Sequence, residues 1–101
     1  MNPNQDTTIV VFRKDRDGYR DPFALFPELP SDIGGLFCTC YQHVGQHCGA
    51  DYALCITNSD PASPAEYADL LEELRRIGYM LVIRKRASRI SHERRRELAR
   101  M

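Results

Sequence analysis

A chain of 101 residues with 14 basic and 14 acidic side chains and a hydrophobic fraction of 43% has room for one hydrophobic core and not two. No stretch approaches the roughly 20 consecutive apolar residues of a membrane-spanning helix, so a helical membrane protein is excluded and a soluble domain is expected. The formal net charge of zero hides a segregation. From Arg84 onward eight basic residues stand against two acidic ones, a net +6, while residues 1–83 carry −6: a cationic appendage on an acidic body.

Met1–Thr8 is polar and only four apolar residues follow, Ile9–Phe12, too few for the hydrophobic region of a signal peptide. A cytoplasmic, reducing setting is therefore expected, in which thiols stay reduced unless they bind metal or do redox chemistry. Ile9–Phe12 is β-branched and aromatic and predicts a first strand. A charged turn containing Asp17 and Gly18 follows, then a second strand, Phe23–Phe26, ended by Pro27 and Pro30. After a loop through Gly34 and Gly35 comes a third strand, Leu36–Tyr41, with Cys38 and Cys40 on one face and Phe37, Thr39 and Tyr41 on the other. Asp51–Thr57 reads as a fourth, with HVGQHCGA between them as a connection.

Helix signals are clearest at SPAEYADLLEELRRIGY. Ser63 stands as N-cap, Pro64 at the first helical position and Glu66 three after the cap, the pattern of a capping box. Tyr67, Leu70, Leu71, Leu74 and Ile77 fall on one stripe, Asp69, Glu72, Glu73, Arg75 and Arg76 face away, and Gly78 supplies the stop. Met80–Ile83 gives a fifth strand. Beyond it, the segment from Ser91 has only Ile90, Leu98 and Met101 to bury, which predicts an exposed or frayed tail. The sum is an α+β domain over residues 1–86: a single mostly antiparallel sheet of about five strands in the order β-β-β-β-α-β, one helix on one face, and a basic tail, 87–101, with partial helical character.

CTCYQHVGQHC, residues 38–48, gathers three of the four cysteines and two of the three histidines. Zinc takes four ligands from such residues, and Cys40, His43, His47 and Cys48 are the candidate set. Cys-x-Cys followed at once by His-x3-His-Cys departs from the usual spacing of paired ligands. The plainer reading is that Cys38, Cys40 and Cys55 are small buried apolar residues on strands. His43, His47 and Asp51 recur every four residues, as two histidines and a carboxylate holding a catalytic metal on a helix would. Gly45 and Gly49 each oppose that helix by about 1 kcal/mol. A nucleophilic Cys48 beside His47 lacks a group to orient the base, so no enzyme class follows. Tyr41, His43, Gln46, His47 and Asp51 instead line a glycine-punctuated connection of the kind that carries binding sites.

The segment YQHVGQHCGADY, with FRKDRDG and ALFPELP before it and PASPAEYADLLEELRRIGY after it, resembles a family of small bacterial proteins often met in phage and other mobile-element settings. The resemblance runs from about Val10 to Arg86 and centres on Tyr41, His43, Val44, Gly45, Gln46 and His47, with a helix beginning near Pro64. It implies a shared fold and a bacterial cytoplasmic setting, and it transfers no activity.

Arg84, Lys85, Arg86, Arg89, Arg94, Arg95 and Arg96 have the charge density that neutralises nucleic-acid phosphates, although no aromatic residue interleaves them for base stacking. Three functions are thus in play. The leading expectation is a non-enzymatic binding or regulatory module of a mobile element, recognising a protein partner, such as a component of a host defence system, through residues 41–51. The alternatives are nucleic-acid binding through the tail and a small zinc protein organised on His43 and His47. No cofactor is expected under the first reading, zinc under the last, and a homodimer through an exposed edge strand is compatible with each.

Overall fold

The computed structural model describes residues 7–16, 21–42 and 46–100. The turn expected around Asp17 and Gly18 and the residues His43, Val44 and Gly45 lie outside them. Chain order runs β1 (Thr7–Asp15), β2 (Pro22–Pro30), β3 (Cys38–Gln42), β4 (Gln46–Ala50), α1 (Tyr52–Thr57), β5 (Ser59–Pro61), α2 (Pro64–Ile77), β6 (Met80–Arg84) and α3 (Arg89–Ala99). The architecture is α+β with one mostly antiparallel sheet, ordered β4-β3-β2-β1-β5, with β6 also paired to β1. β1 is central because it is apolar on both faces: Val10 and Val11 are each fully buried. Its N-terminal half pairs in parallel with β6, from Thr7↔Met80 to Val11↔Arg84, and its C-terminal half pairs antiparallel with β5, from Arg13↔Pro61 to Asp15↔Ser59.

Alternation along the strands separates two cores. Val10, Phe12, Ala24, Phe26 and Tyr41 meet Leu70 and Leu74 of α2 on one face. Val11, Phe23, Leu25, Cys38, Cys40 and Ala50 on the other are packed by Tyr52, Cys55 and Ile56 of α1. Both faces are therefore covered, not one. α2 forms as its sequence dictates: the Ser63 side chain accepts from Glu66 N, the Glu66 side chain accepts from Ser63 N, and Gly78 closes the helix at φ 125°.

Several other elements differ from expectation. Asp51–Thr57 is not a strand. The Asp51 side chain accepts from Leu54 N as an N-cap, and Tyr52, Cys55 and Ile56, at i, i+3 and i+4, reach the sheet from a helix. The supposed connection supplies β4 instead. Strand β2 runs past Pro27 to Pro30, with its register shifting between Phe26 and Pro30, which is where a strand tolerates a residue without an N–H.

Nor is the tail frayed. α3 is capped by Ser88 and anchored by polar groups, which a count of apolar residues misses. Ser91 Oγ donates to the Glu28 carboxylate at 3.0 Å, and Arg95, 4% exposed, donates to the Gly35 and Pro27 carbonyls at 2.9 and 2.8 Å. Gly35, at φ 72°, is required there, since a Cβ would stand 2.9 Å from Arg96 Cα. A second buried guanidinium, Arg13, donates to Ser59 Oγ at 2.9 Å and to the Ile56 carbonyl at 2.9 Å, tying β1 to the chain that leaves α1.

Candidate recognition surface on the β3–β4 hairpin

In the β3–β4 hairpin Tyr41 stands opposite His47 and Cys40 opposite Cys48. Neighbouring residues on a strand point to opposite faces, so the two pairs project to opposite sides. On the α2 side the Tyr41 hydroxyl donates to the Glu73 carboxylate. His47 packs edge-on against the Tyr41 ring, with centroids 4.7 Å apart, and its Nε2 lies 2.9 Å from the Tyr79 hydroxyl. Tyr79 in turn stacks on Phe26 at 4.9 Å, and burial raises its phenol above the ordinary range. Two tyrosines, a histidine and a glutamate thus clamp the hairpin to α2 and to the residue before β6.

On the opposite side Cys40 and Cys48 form a disulfide. Directly opposed cysteines with Cα atoms 5.2 Å apart are within disulfide reach, which corrects the expectation of four reduced thiols. Cys38 and Cys55 are free. Burial pushes the Cys38 thiol up to about 11 and raises Cys55 as well, so both are poor nucleophiles, in keeping with small buried apolar residues.

The proposed metal ligands do not converge. Cys40 and Cys48 share one face and are bonded to each other, His47 is on the other face, and His43 is outside the described residues. Among the described residues no group of three His, Cys, Asp or Glu side chains is placed to hold a metal ion. The His43, His47, Asp51 reading needed a helix, but Gln46–Ala50 is a strand and Asp51 caps α1. A Cys48–His47 dyad is equally broken by the pleat.

Of the partner-binding candidates, Tyr41 is buried, at 1% exposure, and His47 is exposed; Gln46 is placed by its backbone opposite Gln42. β4 is the last strand on its side of the sheet, and the segment His47–Gly49 is exposed.

The seven basic candidates divide. Arg95 is consumed by carbonyls and by His92 Nδ1 at 2.8 Å, which, with burial as the larger cause, lowers the His92 pKa. Arg94 lies 3.6 Å from Glu28 and Arg89 3.7 Å from Glu93. Arg84, Lys85, Arg86 and Arg96 are exposed and make no ion pair among the described residues. Glu73 and Tyr79 were not foreseen, since their role appears only once the β3–β4 register brings Tyr41 and His47 to α2.

Comparisons with protein-family models, curated proteins and solved structures return no match to this chain. No helix among the described residues is long and apolar enough to cross a membrane.

Proposed function

We propose that the protein is a small non-enzymatic binding module that recognises a protein partner through the β3–β4 hairpin and its flanks, residues 41–51. The observation that carries this reading is the position of β4: an edge strand, polar, without proline or lysine to guard it, and held in place from both faces by the disulfide and by His47 on Tyr79. A rigid, open strand lowers the ordering cost of association. A bacterial cytoplasmic setting in a mobile element belongs to this proposal and rests on the resemblance of the Tyr41–His47 segment. In that setting the Cys40–Cys48 bond is a reducible pair.

A photo-crosslinking residue at exposed Gln42, compared with one at exposed Glu72 on α2, tests the surface in bacterial cells that express the protein. A discrete protein adduct from position 42 alone is expected. No adduct, or the same adducts from both positions, would sink the hairpin as the recognition surface.

A further inference from the structure

β6 is the edge strand at the opposite margin, and it differs from β4 in chemistry. Its outer backbone edge pairs with no strand among the described residues. Met80 is 59% and Ile83 38% exposed, and no proline or charge interrupts the strand before Arg84. β5 and β6 share one edge of β1, β6 ending opposite Val11 and β5 ending opposite Arg13, after which Ala62 N donates to the Phe12 carbonyl at 3.2 Å. The sheet margin is therefore notched at Phe12. A groove of about 500 Å³ opens at that notch, with Phe12, Tyr67, Pro64 and Ile83 among its walls and Arg84 and Lys85 on its lip. Its volume is that of a pocket for one or two bulky groups.

We propose that this notch and the β6 edge form a second binding site, for an extended acidic segment of a partner protein that adds as a strand beside β6. In strand addition the main chain supplies affinity and pockets for alternate side chains supply selectivity. Here the open edge of Met80–Arg84 pairs with the incoming backbone, the notch takes a bulky apolar side chain against Tyr67 and Ile83, and carboxylates beside it meet Arg84, Lys85 and Arg86. Charge complementarity sets the occupant: these three consecutive cations make no ion pair among the described residues, whereas Lys14 and Arg16 nearby are held by Glu66 and Asp60 at 2.6 and 3.1 Å. A nucleic acid would meet the cations but has no amide groups to complete a strand edge. The Phe12 ring is also covered by Tyr67, at 4.2 Å between centroids, and is not open to a base.

Selection of displayed random octapeptides on the full chain tests the site. Enrichment of peptides with a bulky apolar residue next to two or more carboxylates is expected, with slowed amide exchange along β6. Affinity is expected to fall at least about tenfold in Arg84→Gln/Lys85→Gln and as salt rises, and to be lost when alternate backbone nitrogens of the selected peptide are methylated. Because both substituted side chains are exposed, loss of folding does not confound the result. No enrichment, a consensus without carboxylates, indifference to backbone methylation, displacement of the peptide by a thymidine oligonucleotide, or self-association that occupies β6 would each overturn the proposal.

Discussion

At one margin of the sheet β4 presents Gln46–Ala50, polar and tied on one face by the Cys40–Cys48 disulfide and on the other by His47 on Tyr79. At the other margin β6 presents Met80–Arg84, apolar up to Arg84 and continuous with exposed cations that make no ion pair among the described residues. Both strands are short and neither has an outer neighbour among the described residues, yet one is chemically conspicuous and the other plain. The difference teaches that conspicuous cysteines and histidines mark where this chain fastens itself, whereas an apolar edge beside exposed charge carries no such marker in the sequence.

The largest effect expected from breaking this comparison concerns the charges themselves. The basic segment has two extremes: Arg84, Lys85 and Arg86 open to solvent, and Arg95 buried. Arg95→Met leaves the Gly35 and Pro27 carbonyls without their donor, and burying such groups unsatisfied costs about 1–3 kcal/mol each. Chemical denaturation is expected to show a loss of roughly 2–4 kcal/mol, with α3 released. Arg84→Gln/Lys85→Gln is expected to stay within about 0.5 kcal/mol of the parent. Equal losses in the two variants would show that the division is wrong.

A somewhat smaller effect separates the edges. Cys40 and Cys48 are 8 apart in sequence, and closing so short a loop contributes about 2–3 kcal/mol in the chain-entropy account. Reduction, or Cys40→Ser/Cys48→Ser, is expected to lower stability by that order and to speed amide exchange in β4 while leaving β6 unchanged. Acceleration at both edges would mean that the crosslink supports the whole sheet and not its own hairpin.

The parts of the fold written in local chemistry were legible. Ser63, Pro64, Glu66 and Gly78 specify α2 by capping alone, and the apolar runs around Val10 and Phe23 specify paired strands by their β-branched and aromatic composition. Where a short segment carries both signals, tertiary contact decides. DYALCIT is apolar enough for a strand, but Asp51 as a cap and the spacing of Tyr52, Cys55 and Ile56 make it a helix. The helical character of the tail was legible, but the docking of α3 was hidden for a different reason, because Ser91 and Arg95 bury hydrogen-bonding groups, a form of docking that hydropathy does not register. The candidate site was legible as a region, residues 41–51. Its geometry was not, because whether Cys40 meets Cys48 or His47 depends on the β3–β4 register, and that register follows from a turn one residue longer or shorter.

The smallest expected effect is electrostatic and lies in the first turn of α2, where Glu66 meets Lys14 of β1. Glu66 serves the α2 capping box and also accepts from Lys14 Nζ at 2.6 Å. The Lys14 hydrogen bond first, then those from Ser63, lower its carboxyl from 4.5 to about 2. A depressed acid favours the folded state above its unfolded pKa, and this contribution is lost as pH falls from about 4.5 through about 2. Carboxyl chemical shifts followed by NMR across that window are expected to give a midpoint near the lower value. Lys14→Met should move it upward while the Ser63 bonds keep it below 4.5. Neither Lys14 nor Glu66 lines the notch, so Lys14→Met should leave peptide binding at β6 unchanged. An unchanged Glu66 midpoint in the variant would mean that the capping box alone sets its charge.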